Sequence, residues 1–172
     1  NSNSVGYQSF TYFPEMLSLF TTSQETFSKV VPKQITVIGK RYQFLFDEFN
    51  SHICFRVGSA LRFKYLNNII PSSKKKIDYA VILTGIKKID LIIFNWIYNV
   101  SNEINCNFYI KSHPNFNIRK NIKQNAKNII YSSNSISFFL KNAKCFICTG
   151  STSSLVEIIA VGANLIVPRI TI

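Results

Sequence analysis

Acidic residues and histidines are scarce in this chain. Its 172 residues include eight Asp and Glu against 20 Lys and Arg, with only two histidines, His52 and His113. Protein metal sites are built from several His, Cys, Asp or Glu ligands, so we expect neither a bound metal nor a cofactor. Beyond Glu103 the chain contains a single acidic residue, Glu157. Chemistry that needs several acids at one site is therefore disfavoured in this part of the chain.

Long apolar runs are also absent. A helix that spans a bilayer needs about 18 or more apolar residues in succession, and the richest stretch, 89–100, is interrupted by Asp90 and Asn95. That stretch predicts an amphipathic helix. With 47% hydrophobic and 16% charged residues, the composition predicts a packed globular core. The sequence contains neither the Gly-Lys-Ser/Thr of a Walker loop nor a nucleophile elbow.

The four cysteines do not form a disulfide framework or a redox pattern. Cys145 and Cys148 have the spacing of a redox motif, but they fall within a strand-like run, where residues three apart point to opposite faces. Free cysteine in a strand behaves as a small buried hydrophobe. We expect this of Cys54, Cys145 and Cys148, and we expect a reducing, cytoplasmic environment.

The net charge of +12 suggests an anionic partner. Nucleic acid is not expected, because Lys, Asn, Ile and Phe are abundant together, as coding bias in a low-GC genome would produce. The basic residues are also scattered, apart from the run Lys74 to Lys76. That run predicts a solvated or membrane-facing loop. A nucleotide or an anionic membrane surface, touched peripherally, remains compatible with the charge.

Apolar runs of strand length alternate with helical patterns along most of the chain, which predicts an α/β fold with a Rossmann-like parallel sheet and flanking helices. Strands are predicted at 16–21, 34–39, 53–57, 79–83, 107–110, 128–131, 144–148 and 164–167. Helices are predicted from Ser23 as N-cap and at 42–49, 60–66, 89–100, 118–124, 136–142 and 152–161. The segment 70–76 resembles a linker and predicts two domains, 1–69 and 70–172. We also expect the chain to be a piece of a longer protein, cut at both ends.

Ligands of parallel sheets bind at the carboxyl ends of the strands, and a Ser-rich loop lies at one of these ends. Gly150 permits a tight turn there, and Ser151, Ser153 and Ser154 with free backbone N–H groups predict an anion site at a helix start. Glu157 shares a helix face with Ser153, one turn from the predicted phosphate, where a carboxylate can accept hydrogen bonds from ribose hydroxyls. A helix cap followed by a surface Glu is an equally good interpretation of the same residues.

A second group, Lys111, His113 and Pro114, follows another predicted strand. Pro114 favours an extended backbone at His113, so the imidazole is expected to project from the carboxyl edge of the sheet and donate to a phosphate or contact a base. Lys111 adds a positive charge. An ordinary loop His and Lys would give the same pattern. Five further residues are candidates for a cleft: Gly85, Lys87, Gly58, Ser59 and Arg62.

The order of these motifs resembles that of GT-B glycosyltransferases of bacterial surface-polysaccharide assembly, among them polysialyltransferase-like enzymes with a His-Pro and a Ser-Ser motif. The resemblance is carried by Ser23–Glu25, Ile35–Gly39, Val57–Arg62, Ile110–Pro114 and Gly150–Glu157. It implies that residues 70–172 are the donor-binding, C-terminal half of a two-domain architecture and that residues 1–69 end the acceptor-side domain.

The resemblance further implies roles for single residues. His113 with Ser153 or Ser154 would hold the base or phosphate of a nucleotide-sugar donor, and Glu157 would hold its ribose. A CMP-sugar is favoured, with UDP or GDP possible, and the acceptor would be a glycan or glycolipid of the cell surface. No general base is assigned, and this piece alone is expected to be inactive. The alternatives are a nucleotide-sugar epimerase or polyol-phosphate transferase on the same fold, or a non-enzymatic module that binds nucleotide or nucleic acid.

Overall fold

The computed structural model describes residues 4–8, 21–49, 53–122, 126–150 and 152–170. The chain divides into two compact units, Asn1–Lys64 and Tyr65–Ile172. Each unit contains a parallel sheet, three-stranded in the first and five-stranded in the second. The predicted α/β fold with a parallel, Rossmann-like sheet and flanking helices is confirmed. The predicted strand at 16–21 falls outside the described residues apart from Thr21, which is not in a strand.

The first unit contains a small sheet in the order β1-β2-β3. Its interior is formed by Val37, Ile53 and Phe55. Its elements are β1 (Val5–Tyr7), α1 (Ser23–Phe27), β2 (Gln34–Val37), α2 (Lys40–Phe49) and β3 (Cys54–Val57). A 3₁₀ segment, Leu61–Asn68, follows and crosses the boundary between the units.

The helix predicted at 60–66 is a 3₁₀ helix over Leu61–Asn68. Two predictions in this unit are wrong. The N-cap of α1 is Thr22 and not Ser23, because the Thr22 side chain and Glu25, three residues on, form a capping box. Cys54 is exposed, because β3 buries only Phe55 of its four residues.

The second unit holds all the strands of its sheet parallel, in the order β6-β5-β4-β7-β8. The chain passes from β4 to its neighbour β5 and then to β6 at the edge. It then returns to the other side of β4, where β7 and β8 follow. The elements are β4 (Ile77–Ile82), α3 (Lys87–Glu103), β5 (Phe108–Lys111), β6 (Ile129–Tyr131), α4 (Ile136–Asn142), β7 (Ala143–Cys148), α5 (Ser154–Ala160) and β8 (Asn164–Ile166). A short 3₁₀ turn, Ile118–Lys120, stands where an α-helix is predicted at 118–124.

Side chains of β4 alternate between two apolar cores. Val81 and Leu83 belong to the core that α3 covers, whereas Ala80 and Ile82 belong to the core that α4 and α5 cover. A strand buried on both faces reads as a continuous apolar run, which is why β4 is visible in the sequence. The reversal of strand order lies between β4 and β7, and open parallel sheets bind ligands beyond the carboxyl ends of the strands at such a point.

Candidate functional site

A cavity of about 300 Å³ lies at the carboxyl ends of the strands on either side of this reversal. We call it the switch-point cavity. Loops that follow β4, β5 and β7 contribute to its wall, and none of the described residues that line it is acidic. The lining residues are Ile82, Leu83, Thr84, Lys111, Ser112, His113, Pro114, Thr152, Ser153 and Ser154. Lys111, His113, Pro114, Ser153 and Ser154 are thus brought to one cavity from two separate predicted motifs.

The loop between β4 and α3 is organised by Asp90, which is 0% exposed. One carboxylate oxygen accepts hydrogen bonds from the backbone N–H and the hydroxyl of Thr84, both at 2.8 Å, and the other accepts from the N–H of Gly85 at 2.9 Å. The N-cap residue of α3, Ile86, offers no side-chain cap, and the Asp90 carboxylate binds N–H groups of the loop that precede the helix. In the sequence, Asp90 stands out only as an interruption of an apolar run. An acidic residue in the first turn of a helix was the signal from which its role in the loop could have been predicted.

Gly85 packs directly against the His113 imidazole. Its φ of +85° is in the region that favours glycine, and a Cβ at this position would lie 2.5 Å from Nδ1 and 2.8 Å from Cγ of His113. Gly85 does not line the cavity itself, but it leaves the space that the imidazole occupies. Lys87, the other residue predicted in this loop, is an exposed residue at the start of α3 and does not line the cavity.

His113 is held in one tautomer by its own loop. The backbone N–H of Asn115 donates to Nδ1 at 3.2 Å, and the N–H of Phe116 donates to the His113 carbonyl at 3.1 Å, closing a turn through Pro114. Because Nδ1 accepts, a neutral imidazole carries its proton on Nε2. The half-buried side chain therefore offers an N–H donor at Nε2.

Lys111 ties the end of β5 to the loop after β6. Its Nζ donates to the carbonyl of Asn134 at 2.7 Å. An ammonium group has three donors, and this bond uses one of them. Lys111 therefore remains able to donate to an anion in the cavity.

The loop from β7 into α5 contains buried polar groups. Thr149 is 5% exposed, and its hydroxyl has no hydrogen-bond partner among the described residues. The Thr152 hydroxyl accepts from the N–H of Ser154 at 3.3 Å. Ser153 is the N-cap of α5 but makes no side-chain capping bond, and Ser151 lies outside the described residues. Thr149 begins the Ser-rich loop, but its burial at the end of a strand leaves no signature in the sequence.

Gly150 is not required by the backbone. It has no positive φ, and a Cβ built on it would meet nothing within 4 Å. Glycine is therefore compatible with the turn here, but the turn does not depend on it. The absence of a side chain instead keeps the backbone of this exposed residue open to close approach.

Glu157 is 6% exposed, whereas the alternative interpretation of the motif, a helix cap, placed it at the surface. It lies in α5, which is seven residues long. In the described part of the chain its carboxylate has neither a hydrogen bond nor an ion pair, the one ion pair there being Lys144–Asp78. Neither carboxylate oxygen is fully buried, so water can still reach the group. Glu157 does not line the switch-point cavity, and it follows the N-cap Ser153 by four residues, so the two positions share one helix face.

The remaining cleft candidates lie in the first unit. A Cβ on Gly58 would lie 2.3 Å from Cγ2 of Thr36, so close packing accounts for this glycine. The Ser59 carbonyl accepts a 2.7 Å hydrogen bond from the Tyr7 hydroxyl. The Arg62 guanidinium lies 5.8 Å from the centre of the Phe63 ring. Their role at a cleft stays a prediction.

A second cavity, of about 420 Å³, lies beside the first. We call it the outer cavity. The segment 111–114 lines both cavities and forms the wall between them. The lining residues of the outer cavity are Ile110, Lys111, Ser112, His113, Pro114, Asn117, Arg119, Tyr131, Ser132 and Ser133.

The chain matches no protein-family model, no curated protein and no solved structure in the comparisons. Fold and site geometry must therefore carry the functional argument. In the described ranges, no helix is long and apolar enough to cross a membrane. The same residues contain no group of three or more His, Cys, Asp or Glu side chains that could hold a metal ion.

Proposed function

We propose that the second unit binds a nucleotide-activated sugar in the switch-point cavity, and that the chain is part of a glycosyltransferase that moves this sugar onto a cell-surface glycan or glycolipid. The observation that carries the proposal is the position of the cavity. It lies at the carboxyl ends of β4, β5 and β7, where the strand order reverses. Nucleotides bind at this place in other open parallel sheets.

The polarity of the cavity supports a phosphate-bearing ligand. Its lining includes one ammonium group, one imidazole with its proton on Nε2 and the hydroxyls of Thr152 and Ser154, but no carboxylate. Hydrogen bonds to an ionised phosphate are stronger than those between neutral groups. Because α5 is short, its dipole contributes little, and these side chains would provide most of the binding of the phosphate.

Glu157 supports a ribose close to the phosphate. Its side chain is 6% exposed and its carboxylate has no partner among the described residues, so two vicinal hydroxyl groups could donate to it. The open backbone at Gly150 would let a phosphate approach the same loop. A nucleoside phosphate combines both chemical groups in one ligand.

In the transfer itself, Lys111 and His113 would stabilise the negative charge that develops on the leaving phosphate. Fixed donors aimed at developing charge are commonly the largest contribution to catalysis. Within the second unit we assign no general base. The preference for a CMP-sugar over UDP- or GDP-sugars stays a prediction, as do peripheral contact with a membrane surface and the roles of residues 1–69 and 70–172 as acceptor and donor halves.

The proposal is tested by titrating CMP, CDP, UDP and GDP into the whole chain and measuring binding by calorimetry. We expect one nucleotide to bind saturably, with affinity reduced about tenfold or more by His113→Ala and by Glu157→Gln, as loss of a hydrogen bond to a charged group predicts. Asp78→Asn, at the opposite ends of the strands, is the control and should bind as the parent does. Equal binding by the parent, His113→Ala and Glu157→Gln would refute the site.

The same titration separates the competing functions. A module that binds any polyanion predicts affinity that falls steeply with salt and does not distinguish the four nucleotides. A donor site predicts a preference that persists as salt rises. A polyol-phosphate transferase would use the same cavity. It is distinguished from a glycosyltransferase by an activity assay that shows which activated substrate is consumed.

A further inference from the structure

The outer cavity has a composition of its own. It lies over the carboxyl ends of β5 and β6, and none of the described residues that line it is acidic. Two basic side chains, Lys111 and Arg119, line it together with the phenol of Tyr131. Lys111 is shared with the switch-point cavity, whereas Arg119 and Tyr131 belong to the outer cavity alone.

Arg119 is positioned by contacts at both ends of the residue. Its backbone N–H donates to the side chain of Asn117 at 3.1 Å, and its guanidinium lies 5.6 Å from the centre of the Tyr131 ring. In the described part of the chain no carboxylate pairs with this guanidinium. A guanidinium has five N–H donors in a planar fork that matches an oxyanion, and stacking on a ring keeps that fork in place.

Other donors line the same cavity. Burial raises the pKa of the Tyr131 phenol, and the nearby Arg119 charge only partly opposes this rise, so the phenol keeps its proton at neutral pH. The Ser132 hydroxyl oxygen accepts from the N–H of Asn134 at 3.3 Å, which leaves its own O–H available to donate. Lys111 has two N–H groups beyond the one that binds the Asn134 carbonyl.

We propose that the outer cavity is a second anion site, which binds a phosphate monoester or a carboxylate group through Arg119 and Lys111. The shared chemistry of these ligands is a compact oxyanion with two oxygens for the guanidinium fork. The volume of about 420 Å³ exceeds that of the oxyanion alone, so the group would belong to a larger molecule. The inference does not depend on nucleotide binding in the switch-point cavity.

The test titrates inorganic phosphate, and separately acetate, into the whole chain at fixed ionic strength, followed by ¹H–¹⁵N NMR. We expect saturable shifts at Ser112, Arg119 and Ser132, with one oxyanion bound more tightly than the other, which names the class. Arg119→Gln should reduce the affinity at least tenfold. Arg119→Lys, which keeps the charge but not the fork, should retain part of it.

The matched control is Lys120→Gln, which removes the same charge from the neighbouring residue. The Lys120 side chain is exposed and does not line the cavity. Equal weakening by Arg119→Gln and Lys120→Gln would show only general attraction of anions and would overturn the proposal. Shifts confined to Thr152–Ser154 would overturn it too, while leaving the nucleotide proposal intact. If phosphate binds at Arg119 but no nucleotide binds to the chain, the second anion site is supported and the nucleotide proposal is refuted.

Discussion

Three glycines allow the contact between Gly85 and His113 to be measured. Gly85 combines a φ of +85° with the imidazole at 2.5 Å from an added Cβ, Gly162 combines a φ of +66° with open space, and Gly150 has open space and no positive φ. Alanine at the three positions therefore separates backbone strain from steric contact. The chemical change is the same in each case.

The expected free energies of unfolding follow from these differences. Gly150→Ala should leave stability unchanged or raise it by up to about 1 kcal/mol, since it only restricts the unfolded chain. Gly162→Ala should cost about 1 kcal/mol. A residue other than glycine costs about 1–2 kcal/mol in the left-handed region, and the lower conformational entropy of the unfolded alanine chain offsets part of this cost. Gly85→Ala should cost about 2–4 kcal/mol, since overpacking adds about 1–3 kcal/mol.

The assay is urea denaturation followed by the fluorescence of Trp96, the only tryptophan of the chain, which lies in α3 of the second unit. In the native state, NMR of the His113 ring should show displaced signals in Gly85→Ala and unchanged signals in Gly150→Ala. If Gly85→Ala is no more destabilising than Gly162→Ala, the imidazole does not pack on Gly85, and the construction of this wall of the site is wrong.

Three further predictions concern single side chains. Asp90→Asn should lower the free energy of unfolding by about 2–4 kcal/mol, because an amide cannot accept all three hydrogen bonds that the carboxylate accepts, whereas Asp78→Asn, which removes one surface ion pair, should cost much less in the same urea assay. Burial raises the pKa of the Cys148 thiol to about 11, so iodoacetamide at pH 8 should leave Cys148 unmodified in the native protein while exposed Cys54 reacts, as peptide mass spectrometry would show. The Lys144 ammonium, 2.7 Å away, holds the pKa of Asp78 below its ordinary value of 3.8. The small stability that Asp78→Asn removes at pH 7 should therefore be lost by the parent as the pH falls below that value. A difference in the free energy of unfolding between the two proteins that stays constant down to pH 2 would contradict this.

The elements of the second unit were largely predictable because β4, β5 and β7 are mostly buried and rich in apolar residues. The helix Ile136–Asn142 was predicted at its observed bounds, since Ser135 supplies a capping side chain. In contrast, β1 was missed, because Val5–Tyr7 is three residues long and mostly exposed. The two 3₁₀ segments, Leu61–Asn68 and Ile118–Lys120, have helical composition, and only tertiary contacts decide their tighter winding.

The candidate site was predictable in its loops but not in its internal bonds. The carboxyl ends of parallel strands share one edge, so the motifs around His113 and Ser153 were expected near one another. The burial of Glu157 and the unpartnered hydroxyl of Thr149 depend on packing depth, about which periodicity carries no information. The three bonds of Asp90 are local, but they depend on the conformation of the loop at Thr84 and Gly85.

The four residues 111–114 border both cavities, and this has a thermodynamic consequence. If occupancy of one cavity displaces this common segment, the affinity of the other cavity changes by some factor, and linkage requires the reverse effect to have the same size. The segment is anchored on one flank by Lys111 at the Asn134 carbonyl and on the other by His113 at Gly85. Cooperativity between two ligands, positive or negative, would thus reside in a single short turn, and measuring it requires only that each affinity be determined with the other cavity filled.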